Sequence, residues 1–381
     1  MKTKVLVIED NNSIRLLFQH YLTEKGFDVV EAENGKIGLE KIKCDLPDIV
    51  TVDLLMPEMD GFSFLAEIKK IHPDLPVIIV SGAKEIEDAV KAIQLGAWDY
   101  IAKPVSPLSL LLHTVEKNLE KALLIKQNKE YQKSIEISLK KISDDENAAR
   151  KIQMKLLPAE NTKIKNYSFN RKIIPSSILS GDFVDYFQID ENNIAFYIAD
   201  ISGHGVSSAL LTVYLKVFMK KYFEMYSSQT AKVIINPNIL FKNLNTELIN
   251  ENFEKHLVMF FGIINCETNT LTYYNCAQFP FPILFHDNSF QLIEDTGNAI
   301  GLFSFAQYHQ KEIKLPEEFM LSIFSDGILD VLPFESIDSK VDFLTKLNSS
   351  EKIFDYFLKL DNSKELPDDI AVLIINKNNY E

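Results

Sequence analysis

Asp200-Ile201-Ser202-Gly203-His204-Gly205 follows the apolar run Ile194-Ala195-Phe196-Tyr197-Ile198-Ala199. An aromatic and β-branched run that ends in Asp and then turns Gly-rich reads as a strand delivering a carboxylate to its C-terminal end. Gly203 and Gly205 let backbone approach whatever the carboxylate holds, and Val206 to Tyr226 reads as a helix. The same letters also suit an ordinary strand-to-helix turn. Three further acidic strand ends share this half of the chain: Ser180-Gly181-Asp182, Ser325-Asp326-Gly327 and Asp368-Asp369-Ile370. Hard divalent cations such as Mg²⁺ or Mn²⁺ take carboxylate and carbonyl oxygens and keep some water. Four separated aspartates at strand edges could therefore supply a two-metal cluster.

The chain has 381 residues, too many for one ordinary core, so two domains and a connection are expected. With 46% hydrophobic residues there is ample material for packed interiors. The chain opens on a strand-like run, has no apolar span of membrane length, and is expected to be cytoplasmic with no membrane partner. Cys44, Cys266 and Cys276 show no metal-type spacing, and their odd number argues against a disulfide framework. The net charge is −14, and only residues 116–157 carry a small basic excess. Nucleic acid is a poor partner for such a chain, because neutralising phosphates supplies most of that affinity.

Residues 1–117 alternate apolar runs with helix-like segments. Val5-Leu6-Val7-Ile8 ends in Glu9-Asp10, Ile49-Val50-Thr51-Val52 in Asp53, Val77-Ile78-Ile79-Val80 in Ser81, and Tyr100-Ile101-Ala102 in Lys103-Pro104. That alternation predicts a parallel sheet covered on both faces, whose sites form at the carboxyl ends of strands. A flavodoxin-like sheet with accidental polar rims would also fit this pattern. Glu9-Asp10, Asp53 with Met56-Pro57-Glu58-Met59-Asp60-Gly61, Ser81-Gly82 and Lys103-Pro104 resemble the response-regulator receiver domain. The resemblance implies a five-stranded flavodoxin-like fold with Asp53 as phosphoacceptor. Glu9, Asp10 and the Leu55 carbonyl would join Asp53 in binding Mg²⁺. Ser81 and Lys103 would bond the phosphoryl oxygens, and Tyr100 matches an aromatic switch position. The physical reading agrees, since a carboxylate attacks phosphorus only when cations neutralise the incoming charge.

Residues 118–157 read as a helical connection without Pro or Gly. Ile135, Ile142, Ala149 and Leu156 recur every seven residues, the spacing of a coiled-coil seam, although Ser138 and Asp145 between them are polar. The alternatives are a dimerising helix, giving a homodimer, and a solvated helix packed on its own domain.

Residues 158–381 read as strands, two long helices and strands again, which predicts an α+β domain of two antiparallel sheets flanked by helices. The combination resembles the SpoIIE-type metal-dependent protein serine/threonine phosphatases. By that resemblance Asp182, Asp200, Asp326 and Asp368 are metal ligands for two Mn²⁺ or Mg²⁺ ions. Asp200 would bridge both ions, and the Ile201 carbonyl would complete one site. Asp369 is either a supporting carboxylate or a strand start, and the role of Asp185 is open. His204 is a candidate general acid, though a His in a Gly-Ser loop is more often structural. Ala277-Gln278-Phe279-Pro280-Phe281 departs from the family's usual Ala-Gly-His-Pro-Pro, and Ser180 and Asp330 are further departures.

The two resemblances together imply a two-component response regulator whose receiver controls a phosphatase. A sensor histidine kinase or small phosphodonor would supply the phosphoryl group. The implied substrate is a phosphorylated anti-sigma-factor antagonist of the STAS type, within a partner-switching pathway. The rival is a non-catalytic adaptor that binds a sigma-regulatory protein through a phosphatase-like domain.

Overall fold

The protein is described by a computed structural model covering residues 2–82, 86–203, 205–227, 237–361 and 366–377. It divides into two compact units, Met1–Leu139 and Lys140–Glu381.

The first unit runs β1 (Lys4–Ile8), α1 (Asn12–Glu24), β2 (Asp28–Ala32), α2 (Gly35–Cys44), β3 (Ile49–Val52), α3 (Gly61–Ile71), β4 (Val77–Ser81), α4 (Ile86–Gln94) and β5 (Asp99–Ala102). Its five strands are all parallel, in the order β2-β1-β3-β4-β5. Apolar residues at successive positions suit a strand buried on both faces. Val5 and Val7 join the core beneath α1 with Phe18 and Leu22, while Leu6 and Ile8 join the opposite core with Phe64 and Leu65 of α3. The Asn11 side chain accepts from the Ser13 and Ile14 amides and starts α1 directly behind Glu9-Asp10. Asp60 caps α3 in the same way through the Ser63 amide. A Cβ at Gly61 would fall 2.3 Å from the Asp53 carbonyl oxygen, so only glycine lets α3 begin this close to the end of β3.

α5 (Ser109–Leu156) is one uninterrupted helix of 48 residues. The connection expected over residues 118–157 is therefore the continuation of the first unit's last helix, as its Gly- and Pro-free sequence predicts. Along the seven-residue stripe, Ile135 is 59% and Ile142 54% exposed, whereas Leu156 packs against the core of the second unit.

The second unit contains β6 (Asn161–Ile164), β7 (Tyr167–Ile174), β8 (Phe183–Gln188), β9 (Asn193–Ile201), α6 (Val206–Ser227), α7 (Pro237–Asn250), β10 (Leu257–Asn265), β11 (Thr270–Cys276), β12 (Ile283–His286), β13 (Ser289–Leu292), β14 (Lys311–Lys314), β15 (Phe319–Phe324), α8 (Gly327–Val331), α9 (Ile337–Thr345), α10 (Ser350–Asp361) and β16 (Ile370–Lys377). The strands form two antiparallel sheets, β14-β11-β10-β9-β8 and β13-β12-β15-β16-β7-β6. Their facing sides close on one apolar layer that includes Phe196, Phe260, Phe169 and Leu373. The outer face of the first sheet is covered by α6 and α7 through Leu215, Phe241 and Leu244. The outer face of the second is covered by α8 to α10 through Ile328, Leu344 and Phe357. The predicted pair of antiparallel sheets with helices outside is the observed architecture.

Register then collects the acidic strand ends. Phe183 pairs with Ala199, so Asp182 and Asp200 stand side by side at one end of β8 and β9. Phe324 pairs with Val372, so the exit from β15 lies opposite the entry to β16, bringing Asp326 beside Asp368 and Asp369. No described helix is long and apolar enough to cross a membrane.

Candidate functional site

In the first unit, ligand atoms of Glu9, Asp10 and Asp53 lie within 4.8 Å of one another, on the loops after β1 and β3. Glu9 and Asp53 are buried and Asp10 is exposed. Lys103, one residue past β5, places Nζ 2.6 Å from Glu9 Oε2 and 2.5 Å from Asp53 Oδ2. Burial raises the Glu9 carboxyl above its ordinary range, against the pull of Lys103. Burial would lower Lys103, but its bonds to Asp53 and Glu9 outweigh it and hold the ammonium above its ordinary value. Asp53 Oδ1 accepts from the Leu54 amide at 2.6 Å and the Leu55 amide at 3.4 Å. Glu9 Oε1 is buried without a hydrogen-bond partner among the described residues. An orphaned carboxylate oxygen within a three-carboxylate cluster fits a hard divalent cation. Ser81 is buried at the end of β4 and hydrogen-bonds Tyr100, whose hydroxyl burial pushes up. Glu9, Asp10, Asp53, Ser81 and Lys103 thus meet at one rim, with Leu55 on the loop that leaves Asp53.

The second cluster stands at the ends of β8, β9, β15 and β16. Asp182 is buried; its Oδ2 accepts from Ser325 Oγ at 2.7 Å, and its Oδ1 has no partner among the described residues. Burial and the neighbouring Asp200 hold its carboxyl well above the usual range. Asp200 is pushed up to about 8 by burial and by the charges of Asp326 and Asp368, and it lies in hydrogen-bonding reach of Asp326. Burial and Asp368 also raise Asp326. Carboxylates crowded this closely repel unless a cation or a proton sits among them. That crowding, with the orphaned Asp182 oxygen, fits divalent ions on the expected residues. Close to the Ile201 carbonyl, a Cβ at Gly181 would fall 3.0 Å from its oxygen.

Asp369 has a different task. Its Oδ1 accepts from the Ser176 amide at 2.6 Å and hydroxyl at 2.9 Å, and its Oδ2 from the Gly181 amide at 2.6 Å. It clamps the loop that carries Asp182. Asp185 is buried and pairs with Lys216 of α6 at 2.6 Å, with Tyr197 Oη at 3.3 Å, fastening β8 to that helix. Gln278 is held by Asn275 and donates at 2.7 Å to the Phe324 carbonyl, so the departing loop braces the strand that leads to Asp326. His204 lies outside the described residues.

Two supporting side chains escaped the sequence reading. Gln153, near the end of α5, donates at 2.6 Å to the Ser180 carbonyl and at 3.0 Å to Thr212 Oγ1, and accepts from the Ser180 amide at 3.3 Å. Lys255 donates at 2.7 Å to the Ser202 carbonyl and at 3.2 Å to Ser208 Oγ, tying down the loop after Asp200. Neither sits in a motif, and only the folded chain brings them to the acidic cluster.

Comparison with known proteins fits this division. Residues 5–115 match the response regulator receiver domain family. Over 120 residues the chain is 39% identical to the chemotaxis protein CheY of Bacillus subtilis, spanning 99% of that protein and 31% of this one. The chain belongs to the response regulators. Residues 190–378 of this regulator match the Stage II sporulation protein E (SpoIIE) family. The regulator is 37% identical to the probable transcriptional regulator ycf27 of Porphyridium aerugineum over 123 residues, about half (51%) of that protein's length and 32% of its own. It is 24% identical to the Regulator of RpoS of Escherichia coli over 268 residues, 70% of this chain and 79% of that one. Among solved structures, the receiver domain of NtrX from Brucella abortus is 37% identical, covering 30% of this chain and 98% of that one, with a TM-score of 0.30.

Proposed function

We propose that this response regulator is a phosphorylation-controlled, Mg²⁺- or Mn²⁺-dependent protein serine/threonine phosphatase. The observation that carries the reading is the second cluster: strand register sets Asp182 beside Asp200 and Asp326 beside Asp368, Asp200 lies in hydrogen-bonding reach of Asp326, and one buried Asp182 oxygen has no partner among the described residues. Those four residues and the Ile201 carbonyl would hold two ions. Two ions held there would supply water activation and charge neutralisation for in-line attack on a phosphate ester. The chain's own work is to keep the ligands fixed: Asp369 and Gln153 hold the Asp182 loop, and Lys255 and Ser208 hold the Asp200 loop.

At the input, Glu9, Asp10, Asp53 and the Leu55 carbonyl would hold Mg²⁺. An Asp53 carboxylate oxygen forms the new bond to phosphorus as the bond to the donor's leaving group breaks, that donor being a sensor histidine kinase or a small acyl phosphate. Lys103 neutralises the charge arriving on the phosphoryl oxygens, and Ser81 donates to one of them. The substrate of the output is a phosphorylated STAS-type anti-sigma-factor antagonist in a partner-switching pathway, and the exposed Ile135–Ile142 stripe of α5 pairs two copies. The deciding experiment is Mn²⁺-dependent hydrolysis of p-nitrophenyl phosphate by the full chain. Turnover that depends on Mn²⁺ and disappears in Asp200→Asn supports the enzyme. No turnover, with intact binding of a sigma-regulatory protein, supports the adaptor instead.

A further inference from the structure

Immediately after the Asp200 loop, the first turns of α6 and the segment joining α7 to β10 enclose a groove of about 420 Å³. Val206, Leu210, Tyr214 and Phe253 form its apolar wall and Lys255 its polar end. Leu210 is 62% exposed, and Val206 and Phe253 are also open to solvent. A second exposed apolar group lies on the loop that leads into β14. Phe303 and Phe305 stack with centroids 5.3 Å apart, Phe305 being 75% exposed. Their loop is anchored, because Asn245 donates to the Phe303 carbonyl at 3.0 Å and accepts from the Gly301 amide at 2.8 Å. A Cβ at Gly301 would fall 3.0 Å from the Lys255 carbonyl oxygen and from Leu248, so the start of this loop packs on the backbone between α7 and β10. Large apolar side chains held in the open on anchored backbone mark an interaction surface rather than a frayed core.

We propose that this groove receives an apolar residue flanking the phosphoserine or phosphothreonine of the protein substrate, an inference that rests on the phosphatase reading above. Two features select that occupant. The groove begins one residue beyond Gly205, so a segment whose phosphate reaches the aspartate cluster has its neighbouring residues beside α6. Its polar end is a cation: Lys255 uses two of its three N–H donors on Ser202 and Ser208, and its charge complements a phosphate dianion next to an apolar residue. The volume suits a few side chains and not a folded partner's face.

The test uses the full chain with Mn²⁺, p-nitrophenyl phosphate, and two phosphoserine peptides of equal length. One peptide carries Leu at the positions flanking phosphoserine, the other Ser. Each peptide's kcat/KM is divided by that for p-nitrophenyl phosphate. Wild type should favour the Leu peptide by about tenfold or more, the scale of burying one large apolar side chain. Leu210→Glu and Phe253→Ser, both at exposed positions that line the groove, should each reduce that ratio toward one. Fluorescence anisotropy in EDTA should show the same preference in binding. Equal use of the two peptides by wild type, or an undiminished preference in both variants, overturns the groove while leaving the phosphatase standing. Failure to hydrolyse p-nitrophenyl phosphate removes the phosphatase reading and the groove with it. A sedimentation mass that drops in Leu210→Glu without a change in peptide preference assigns the surface to a second copy and likewise overturns the proposal.

Discussion

Lys103 touches Glu9 and Asp53 at once, and that double contact determines what its loss does. In Lys103→Ala the acceptor remains but two buried carboxylates face each other uncompensated. Labelling by acetyl phosphate and Mg²⁺ should slow severalfold or more, while Asp53→Asn should show no label by mass spectrometry; equal labelling of wild type and Asp53→Asn would remove Asp53 as acceptor. In the second cluster, Asp200→Asn weakens a ligand expected to serve two ions. Mn²⁺-dependent turnover should fall by about three decades or more, beyond the fall in Asp182→Asn. Asp369→Asn turns an acceptor of three hydrogen bonds into a group that must aim NH₂ at Ser176 or Gly181. The cost should be about 1–3 kcal/mol in denaturant unfolding, with weaker Mn²⁺ activation. The principal acids were legible because each stands at the edge of an apolar run, Asp53 and Asp200 just after one and Asp182 and Asp368 just before one. Gln153 and Lys255 were not, since a polar residue in a helix or loop carries no sign of the distant backbone it will hold.

α5 is where the elements decide the behaviour. Ile142 is 54% exposed, so Ile142→Asp should leave each unit folded. If the stripe pairs two copies, that carboxylate is costly to bury at the seam, and sedimentation should show monomer. Turnover of p-nitrophenyl phosphate should persist while its dependence on Asp53 phosphorylation fades; an unchanged response would take the signal off this helix. The unbroken helix was readable from the absence of Gly and Pro, and the long strands from their apolar runs. The short strands β6, β13 and β14 and the helix α8 were not assigned, because four or five residues define no period, and α9 and α10, of nine and twelve residues, were not assigned either. Gly327 at the start of α8 shows how such an element is fixed by its surroundings: a Cβ there would sit 2.1 Å from the Asp369 carbonyl oxygen.

For the whole molecule, two compact units with separate acidic clusters predict separable responses to cations. Mn²⁺ at about a hundred times its dissociation constant should stabilise a unit that binds it by about 2.7 kcal/mol. Calorimetry should therefore show the upper or lower transition shifting selectively in Asp200→Asn and in Asp53→Asn, and one common shift would contradict two independent sites. The division between the units falls at Leu139, inside α5 and not in a loop. α5 runs through that division without interruption. Exchange of receivers between such proteins, by recombination or by design, must therefore splice helix to helix. Each residue gained or lost at the splice turns the helix that follows by about 100°. Compatible modules are consequently those whose splice keeps the helical phase, so α5 acts as a gauge that admits some partners in a fusion and rejects others of equal quality.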